Sequence, residues 1–563
     1  MSNTRVMKML LGDEAVALGA INAGISAAYG YPGTPSTEIM ETLIEKSTRA
    51  GRQSFRAAWC ANEKTAMEAA LGVSFAGRRV LVAMKHVGLN VAADPFMNSA
   101  LLAIHGGLVI AVADDPGMHS SQNEQDSRYY AAFAMIPCLE PRNQQEAYDM
   151  TIEAFDLSER FRLPVMVRLV TRLAHARSQV VVGNRRRQRA VSKVKDKERW
   201  IFLPAYARKN YEMLLGKQEA LREWAGAHEA NNLEFTNEDG SDRLLKYVVI
   251  TAGVGANYYE DNLKDFTKSL GGNPPVWYHI GAYPFSEKFV QGLCNYAKAV
   301  LVFEEGQGFI EGKLRSFLPE DVHVQGKQNV DVIESGELDP DNVRECLDLE
   351  PRKSVLSVLP KRVVLPALPA RPPQLCQGCP HGDSFDVINA VVNRLDPAPN
   401  HPSVAVNSDI GCYTLGSLPP YSVSESTVCM GASIGMARGA SEAGLPYTLA
   451  LIGDSTFIHS GITGLVDAVY SNTPMTVAIL DNSTVAMTGC QETLVPSVKL
   501  KSLILGLGVD PAHFVELEAR GIRKDENIAL LKKEMEYRGL SVVVFRRECV
   551  EAFRKRSKKA YER

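Results

Sequence analysis

The sequence predicts an α/β protein whose parallel sheets are doubly wound, with helices on both faces. Short apolar runs rich in β-branched residues alternate with stretches of helical periodicity, which is the pattern of repeated strand–helix units. Three such runs in the first third are residues 79–84, 107–113 and 165–170. Two more near the carboxyl end, 449–454 and 476–481, each finish at a polar residue. At 563 residues the chain is also too long for one hydrophobic core, so we expect several domains.

Changes in composition along the chain predict where those domains begin and end. Six prolines in residues 351–375 indicate a semi-rigid linker, and a cluster of arginines and lysines follows residue 183. The predicted organisation is an α/β domain in 1–180, a basic connecting region in 181–240, a second α/β domain in 241–350, the linker, a third α/β domain in 376–550 and a basic tail in 551–563. The tail is interpreted as a solvated segment or, alternatively, as a docking site for an acidic electron carrier.

Composition limits the class of partner and compartment. A net charge of −3 argues against nucleic acid or an anionic membrane as a partner. The first residues lack the apolar core of a secretion signal, and the longest uncharged stretch, 95–113, contains polar residues and is interpreted as a buried strand region. Ten cysteines without regular spacing are typical of a reducing compartment. We therefore expect a cytoplasmic protein that binds neither nucleic acid nor membrane.

Two polar residues follow neighbouring predicted strands near the carboxyl end. Asp454 follows one apolar run and Asn482 follows the next, with a helical stretch between them. The carboxyl ends of adjacent parallel strands meet at the edge of a sheet where ligands bind. A carboxylate and an amide oxygen there suit Mg²⁺, which takes further ligands from water, a backbone carbonyl and phosphate, and Gly453 would let a phosphate approach the backbone. A purely structural Gly-Asp pair at a sheet edge is the alternative.

Three polar loops follow strands of the first domain. The turn 31–36 contains Pro32, Gly33 and Thr34, the segment 84–90 contains His86, and a third polar segment spans 119–128. One such loop is unremarkable, and the turn 31–36 is explained equally well as a helix cap. Three loops that converge from successive strand ends predict a binding site.

Glu63 lies at the start of a predicted helix and has apolar surroundings. The helix has alanines and a valine at three-and-four spacing, and Glu63 falls in its first turn. A carboxylate in the first turn offsets the helix dipole, which is the structural explanation of this residue.

Seven segments taken together resemble the large subunit of the indolepyruvate ferredoxin oxidoreductase family, a branch of the thiamine diphosphate-dependent 2-oxoacid:ferredoxin oxidoreductase superfamily. The segments are residues 31–36, 62–64, 84–95, 120–126, 376–381, 409–416 and 453–461, and the resemblance runs from about residue 10 to 545. It implies two copies of the thiamine diphosphate-binding fold. The pyrimidine-binding domain comes first, a transketolase carboxyl-terminal-like domain lies in the middle, and the diphosphate-binding domain comes last.

The resemblance also implies roles for individual residues. Glu63 would bond the aminopyrimidine ring nitrogen of thiamine diphosphate, and Mg²⁺ would be held by Asp454, Asn482 and the carbonyl of Thr484. The family motif is kept at these positions and departs at Ser455 and Asp481. Candidates for polar groups that meet the substrate are His86, His381 and His459, with a structural role as the alternative for each. Further cofactor contacts are implied for Pro32, Gly33, Thr34, Gly411, Cys412, Gly453, Asp454, Ser455 and Asn482.

The cysteines of the last domain resemble part of a cluster site. Cys376 and Cys379, in a Cys-x-x-Cys sequence, and Cys412 resemble three of the four thiolates that hold a 4Fe-4S cluster in related enzymes. Spacing does not choose among the candidates for the fourth ligand, and we take Cys490 as the prediction. Buried cysteines that pack as small apolar side chains are the alternative. The candidates for the fourth ligand are Cys429, Cys490 and Cys549.

The activity implied by the resemblance is oxidative decarboxylation of an aryl 2-oxoacid, of the indolepyruvate or phenylpyruvate type, to the acyl-CoA. Electrons would pass to ferredoxin or another iron-sulfur carrier. The family implies a smaller beta- or gamma-type partner subunit and a hetero-oligomer that contains two copies of this chain. A non-oxidative thiamine diphosphate-dependent decarboxylase or carboligase is the alternative, and a non-catalytic scaffold is a third reading that the intact Glu63, Asp454 and Asn482 argue against.

Two departures from the family bear on electron transfer and substrate. The family's large subunit ends in a ferredoxin-like domain, whose cysteine runs do not occur in these 563 residues, so we expect electrons to leave by another route. Residues 487–493 replace the sequence expected beside the cofactor, which leaves the substrate range open. The central expectation is that the first and last thirds of the polypeptide bind opposite ends of one thiamine diphosphate, within one chain or between two copies.

Overall fold

The computed structural model describes residues 6–49, 52–235, 245–294, 297–329, 331–352, 374–398 and 400–561. The chain divides into two compact units, Met1–Val363 and Val364–Arg563, called unit 1 and unit 2 below. Within the described residues, no helix is long and apolar enough to cross a membrane.

The first half of unit 1 alternates strands and helices. Its elements are β1 (Val6–Leu11), α1 (Gly12–Asn22), β2 (Ala27–Gly30), α2 (Thr37–Ser47), β3 (Thr48–Arg49), β4 (Arg52–Gln53), β5 (Arg56–Trp59), α3 (Glu63–Phe75), β6 (Val80–Lys85), α4 (His86–Val91), α5 (Ala93–Leu101), β7 (Leu108–Asp114), α6 (Arg128–Ala134), β8 (Cys138–Leu139), α7 (Gln144–Phe161), β9 (Val165–Val170), α8 (Thr171–His175) and β10 (Arg177–Val182).

The second half of unit 1 begins with a short 3₁₀ helix, Lys197–Trp200, and two helices. Its further elements are α9 (Pro204–Leu215), α10 (Gln218–Gly226), β11 (Leu233–Phe235), β12 (Leu245–Ala252), α11 (Gly255–Ser269), β13 (Val276–Ile280), β14 (Ala282–Tyr283), α12 (Glu287–Cys294), β15 (Ala297–Phe303), α13 (Phe309–Phe317), β16 (His323–Gln325) and α14 (Pro340–Cys346).

Unit 2 contains one large sheet and its flanking helices. Its elements are α15 (Pro380–Leu395), β17 (Val404–Ser408), β18 (Ser426–Thr427), α16 (Ala432–Glu442), β19 (Tyr447–Gly453), α17 (Asp454–Thr456), α18 (Ile462–Ser471), β20 (Met475–Asp481), β21 (Thr484–Val485), β22 (Gln491–Glu492), α19 (Ser497–Gly506), β23 (Phe514–Glu518), α20 (Lys524–Glu536), β24 (Leu540–Arg546) and α21 (Val550–Tyr561). Short 3₁₀ helices span Cys412–Ser417, Pro511–His513 and Gly521–Arg523, and a π-helical turn spans Phe457–Gly461.

The seven-stranded sheet of unit 1 is formed by strands that are apolar along their length. β6 and β7 are buried at every position, as expected of strands covered by helices on both faces. The strand order is β14-β8-β9-β7-β6-β2-β5, and every pair is parallel except β14 with β8. Since β7, β6 and β2 are neighbours, the three polar loops that follow them lie at one edge of the sheet. The predicted convergence of these loops is confirmed.

A second, five-stranded sheet in unit 1 has the order β11-β13-β12-β15-β16. It is parallel apart from the β11–β13 pair. The strand β14, which follows β13 in the chain, pairs with β8 of the seven-stranded sheet instead. The two halves of unit 1 are therefore joined by backbone hydrogen bonds. The predicted domain boundaries stay predictions, and most of the predicted linker, residues 353–373, lies outside the described residues.

The six-stranded sheet of unit 2 has the order β18-β17-β19-β20-β24-β23, and all of its neighbouring strands are parallel. The predicted α/β class with parallel sheets is therefore confirmed in both units. β19 and β20 are adjacent, which puts Asp454 and Asn482 at the carboxyl ends of neighbouring strands, as predicted.

The interpretation of residues 95–113 as a strand region is wrong over most of its length. Residues Ala93–Leu101 form α5, and the strand β7 begins only at Leu108. A short apolar run does not by itself separate a buried helix from a buried strand. Pro95 fits because it lies in the first turn of α5, where no intrahelical N–H bond is lost.

Candidate active site

In unit 1, Glu63 occupies the first turn of α3 and is nearly inaccessible to solvent, with 5% of its surface exposed. Asn62 caps the helix by accepting a hydrogen bond from the Thr65 N–H at 2.9 Å, so the cap does not require Glu63. The Glu63 side chain lies against Gly88 of α4, where an added Cβ atom would come within 2.5 Å of Oε1. Glycine at position 88 is therefore what lets α4 approach the carboxylate.

Lys85, at the end of β6, has a buried ammonium group beside this carboxylate. Its Nζ donates a hydrogen bond to the Ser120 carbonyl at 3.2 Å. Burial lowers the pKa of Lys85 to about 8, against the opposing effects of Asp115 and Glu63. A buried, readily titrated lysine next to a buried carboxylate is an arrangement found at functional sites more often than elsewhere. Lys85 belongs to the polar segment 84–90 but is not among the site residues predicted from the sequence.

The turn that contains Pro32, Gly33 and Thr34 packs on Lys85. A Cβ atom at Gly33 would lie 3.0 Å from the Lys85 Cδ, and the Ser120 hydroxyl donates a hydrogen bond to the Thr34 carbonyl at 3.0 Å. The Ser36 hydroxyl is used within the turn, where it donates to the Gly33 carbonyl at 2.8 Å. The loops after β2, β6 and β7 are thus joined by named contacts.

Asp115 holds the loop after β7 in place through hydrogen bonds. It was not among the residues predicted from the sequence. Its carboxylate accepts hydrogen bonds from the Ser120 N–H at 2.8 Å, the Ser121 hydroxyl at 2.7 Å and the Thr171 hydroxyl at 2.7 Å. These bonds hold the pKa of Asp115 below its ordinary value in spite of burial, which alone would raise it. Its position directly after β7 was the available signal, because the strand-end rule applied to the other loops applies here too.

His86 begins α4 and is buried. Its Nε2 lies 3.0 Å from the Asn123 carbonyl oxygen, and its Nδ1 is buried without a hydrogen-bond partner. The bonded nitrogen carries the proton, because a carbonyl oxygen only accepts. Nδ1 is consequently the nitrogen of His86 that can accept a hydrogen bond from a ligand.

In unit 2, Asp454 and Asp481 form a closely spaced pair of buried carboxylates. Asp454 Oδ1 accepts a hydrogen bond from the Ser455 N–H at 2.8 Å, whereas Oδ2 is buried without a partner. Burial and, next, the Asp481 charge raise the pKa of Asp454 to about 8. Asp481 is held by Arg546 at 3.2 Å and by the Ser497 hydroxyl at 2.6 Å. A cation near Asp454 would offset both the burial and the repulsion.

The donor set around Asp454 fits Mg²⁺. The Asn482 Oδ1 accepts a hydrogen bond from the Thr484 N–H at 3.2 Å, which brings the two remaining predicted ligands together. The Ser455 hydroxyl is also buried without a partner, next to the unpartnered Asp454 Oδ2. Hard oxygen donors that are buried and unsatisfied are what a hard divalent cation with a diphosphate requires.

Glycines 411 and 453 have a role that the sequence did not reveal. The expectation that Gly453 admits a phosphate stays a prediction. A second reason for glycine is packing, since an added Cβ atom there would lie 2.6 Å from the Tyr413 ring, and one at Gly411 would lie 2.3 Å from the same ring. Tyr413 in turn donates a hydrogen bond to Asp409, whose pKa burial raises to about 6. Both glycines are thus required by the position of Tyr413.

Two predicted histidines also lie in unit 2. The His381 Nε2 is 3.5 Å from the Asn482 amide nitrogen, its Nδ1 is buried without a partner, and burial lowers the pKa of His381 to about 4. The ring is therefore neutral at physiological pH. His459 lies in the π-helical turn, a type of turn frequent at functional sites, and its Nδ1 is 2.6 Å from the Ser460 hydroxyl.

Five cysteines lie near one another beside the candidate metal ligands. Burial raises the pKa of Cys412 to about 12, and the neighbouring thiols of Cys379, Cys549, Cys376 and Cys490 add to the rise in that order. Cys379 and Cys490 each have Cys549 among their neighbours. The Cys549 N–H donates a hydrogen bond to the Asn482 carbonyl at 3.1 Å, so this group of cysteines lies next to a candidate metal ligand. We call the five residues the cysteine group.

The three candidates for a fourth ligand differ in which neighbouring groups affect, or are affected by, their pKa values. Cys549 raises the pKa of Cys379, of Cys412 and of Cys490, whereas Cys490 raises the pKa of Cys412 less than Cys549 does. For Cys429, the charge that acts on its pKa is that of Asp409.

Two family models match the sequence. One, described as pyruvate flavodoxin/ferredoxin oxidoreductase, thiamine diP-binding, matches residues 18–238. The other, described as the carboxyl-terminal TPP-binding domain of thiamine pyrophosphate enzymes, matches residues 409–545. The first includes Glu63 and Lys85 and the second includes Asp454 and Asn482, so each match covers one of the two groups of residues described above.

Relatives that align along almost the whole chain include indolepyruvate oxidoreductase subunit IorA from three archaea. That of Archaeoglobus fulgidus is 37% identical, with 96% of this chain and 86% of the relative covered. That of Methanothermobacter thermautotrophicus is 36% identical with the same coverage of both chains. That of Pyrococcus abyssi is 35% identical, with 96% and 85% covered. The chain belongs to the indolepyruvate oxidoreductase subunit IorA family of thiamine diphosphate-dependent 2-oxoacid oxidoreductases.

Proposed function

We propose that this chain catalyses the oxidative decarboxylation of an aryl 2-oxoacid, of the indolepyruvate or phenylpyruvate type. One 2-oxoacid anion and one coenzyme A thiol give one acyl-CoA, one CO₂ and one proton, and the two electrons released reduce an iron-sulfur carrier one at a time. The single observation that favours an oxidative reaction is the cysteine group, whose Cys549 is hydrogen-bonded to the candidate metal ligand Asn482. A cluster there would be an electron acceptor close to the cofactor.

Thiamine diphosphate, when bound, supplies a carbon nucleophile and takes up the charge left by the departing CO₂. The proposed role of Glu63 is to hold a proton shared with the aminopyrimidine ring nitrogen, in surroundings from which water is excluded. Gly88 supports this role, because it allows α4 to press against the carboxylate and restrict its movement. The turn with Pro32, Gly33 and Thr34 would line the same half of the site.

The proposed role of Asp454, Asn482 and the Thr484 carbonyl is to bind Mg²⁺, which in turn would hold the diphosphate. The unpartnered Asp454 Oδ2 and Ser455 hydroxyl support this assignment. His381 would donate or accept a hydrogen bond as a neutral ring, because its lowered pKa excludes the imidazolium at neutral pH.

The proposed cluster is a 4Fe-4S cluster held by Cys376, Cys379, Cys412 and a fourth thiolate. Cys549 is favoured over Cys490 for that place, because its thiol neighbours two of the other three ligands. Raised thiol pKa values do not oppose this, since a bound metal cluster deprotonates its thiolate ligands. The chemistry that such a cluster would supply is one-electron transfer to an outside carrier.

The expected partners of this chain are a smaller subunit of the oxidoreductase, coenzyme A, and ferredoxin or another electron carrier. The expected assembly is a hetero-oligomer with two copies of this chain. A cytoplasmic location follows from the proposed iron-sulfur chemistry, and all ten cysteines are free thiols. The basic helix α21, directly after Cys549, is the proposed docking place for an acidic carrier.

The test is to purify the chain anaerobically together with its co-purifying subunits and to assay iron and thiamine. Indolepyruvate, phenylpyruvate and pyruvate are then offered with coenzyme A and a viologen dye. The expected result is dye reduction that depends on coenzyme A and is fastest with an aryl substrate. Release of an aldehyde without dye reduction would favour the non-oxidative decarboxylase or carboligase and would overturn the proposal.

A further inference from the structure

Asp13, Glu38 and His175 come together from three helices of unit 1, outside the residues assigned above. Asp13 lies in the first turn of α1, Glu38 in the first turn of α2, and His175 is the last residue of α8. One ligand atom from each, two carboxylate oxygens and an imidazole nitrogen, lie within 4.8 Å of one another. The His175 Nε2 is 3.5 Å from a Glu38 oxygen.

Asp13 is the unusual member of this group. It is completely buried, and both of its carboxylate oxygens are without a hydrogen-bond partner. Burial and, next, the Glu38 charge raise the pKa of Asp13 well above its ordinary value. Burying a carboxyl group with no partner costs on the order of several kcal/mol, whether it is charged or neutral. A positively charged ligand between the three side chains would satisfy it.

The three side chains differ in their exposure to solvent. Asp13 is closed off, whereas the His175 side chain is 35% exposed and that of Glu38 is 36% exposed. A bound ion would therefore have Asp13 on its buried side and the partly exposed Glu38 and His175 on its solvent side.

We propose that Asp13, Glu38 and His175 bind a divalent transition-metal ion, with Zn²⁺ as the best match. Carboxylate oxygen and neutral imidazole nitrogen are Zn²⁺ ligands at about 2.0–2.2 Å, a spacing that the three side chains reach by closing in by about 1 Å. The imidazole disfavours Mg²⁺ and Ca²⁺, which take oxygen ligands. This separates the site from the Mg²⁺ ligands proposed in unit 2.

The ion would link three helices that support the candidate cofactor loop. Glu38 follows the turn of Pro32, Gly33 and Thr34 by four residues. His175 ends the helix that begins at Thr171, whose hydroxyl bonds Asp115 at 2.7 Å, and Asp115 in turn bonds the Ser120 N–H. Binding of the ion would hold α1, α2 and α8 in place and stabilise the folded unit. The role is structural.

The test compares zinc bound by the full chain and by three variants. After removal of metals with a chelator, wild type, Asp13→Asn, His175→Gln and His119→Gln are dialysed against the same low concentration of free Zn²⁺. His119→Gln is the matched control, because His119 also pairs with a glutamate, Glu337, at 3.3 Å on the surface. Zinc held by the cysteine group is counted equally in all four proteins and cancels in the comparison.

The expected result is one zinc equivalent fewer per chain in Asp13→Asn and His175→Gln than in wild type and His119→Gln. Zinc should also raise the thermal unfolding temperature of wild type and His119→Gln by more than that of Asp13→Asn and His175→Gln. Circular dichroism shows that each variant is folded. Equal zinc content in all four proteins would overturn the proposal and would leave a proton shared by Asp13 and Glu38 as the explanation. Neither outcome depends on catalytic activity.

Discussion

The carboxylate of Glu63 touches α4 at Gly88, and a methyl group at that position would come within 2.5 Å of Oε1 and 2.8 Å of Cδ. Glu63 and Gly88 come into contact only when the chain folds, because the strand β6 lies between α3 and α4 in the sequence. The position of the carboxylate therefore depends on a residue that has no polar group of its own.

We predict that Gly88→Ala lowers turnover on the order of 100-fold, because the new methyl group displaces the Glu63 carboxylate by about 1 Å. The matched control is Gly72→Ala in α3, where an added Cβ meets nothing within 4 Å. Gly72→Ala should keep full activity and gain roughly 0.5–1 kcal/mol of stability from its better helix propensity. Steady-state kinetics and thermal unfolding measure both effects. Full activity of Gly88→Ala would contradict the idea that the Glu63 position matters.

We predict that Glu63→Gln retains the fold and binds thiamine diphosphate but loses turnover by about 100-fold or more, because the amide cannot exchange a proton with the ring nitrogen. The control is Glu68→Gln on the same helix, whose partly exposed carboxylate pairs with Lys64. Cofactor retention is measured by thiamine assay and turnover by dye reduction. Undiminished turnover would remove the role given to Glu63.

We predict that Lys85 titrates near pH 8, the value to which burial lowers its pKa. The rate of acylation of its amine should therefore rise with pH and reach half of its maximum near pH 8. Because Asp115 favours the charged ammonium, Asp115→Asn should move that midpoint to lower pH. Competitive labelling followed by peptide mass spectrometry measures it. Lys217, whose pKa burial also lowers to about 8, is the internal control and should not respond to Asp115→Asn. A Lys85 midpoint unmoved by that change would refute the assignment.

The lowered pKa of Lys85 makes the free energy of unfolding depend on pH, and the direction of that dependence can be predicted. Its pKa is lowered in the folded chain, so between about pH 8 and 10.5 the unfolded chain binds more protons than the folded one. Folded stability from this group therefore rises with pH across that interval, by at most about 1.4 kcal/mol per pH unit. Lys85→Met should abolish this part of the pH dependence.

We predict that Asp454→Asn lowers the Mg²⁺-dependent affinity for thiamine diphosphate on the order of 100-fold, because an amide replaces a charged oxygen ligand. Asp467→Asn is the control, since Asp467 is exposed on α18 and pairs only with Arg438 at 3.2 Å among the contacts described. Isothermal titration of the cofactor with and without Mg²⁺ measures the change. Equal affinity of wild type and Asp454→Asn would show that the metal is held elsewhere.

We predict that Cys549→Ser loses most of the bound iron, as do serine substitutions at Cys376, Cys379 and Cys412, whereas Cys490→Ser retains it. The reason is that Cys549 neighbours both Cys379 and Cys412. Cys429→Ser is the matched control, because its pKa is perturbed by Asp409 and not by another thiol. Iron per chain and the visible absorbance of the anaerobic protein measure the cluster. Loss of iron from Cys490→Ser with retention in Cys549→Ser would instead support the fourth ligand chosen from the sequence.

Much of the candidate site could be found from strand ends alone. Asp454 and Asn482 follow apolar runs, and the strands of a parallel sheet deliver such residues to one edge. The same rule located His86 and the turn of Pro32, Gly33 and Thr34. It did not reveal why Gly453 is a glycine, because the ring that requires it belongs to Tyr413, in the 3₁₀ helix that follows a different strand, β17.

The sequence by itself determined the α/β class, the strands and the polar residues at their ends, because hydrophobic periodicity and helix capping act between residues close in the chain. Only the tertiary structure decided that Gly88 supports Glu63, that Cys549 neighbours Cys379 and Cys412, and that Asp13 meets Glu38 and His175. Those contacts join residues far apart in the chain. They arise from how the helices pack on the sheets, and the hydrophobic pattern of neighbouring residues does not predict that packing.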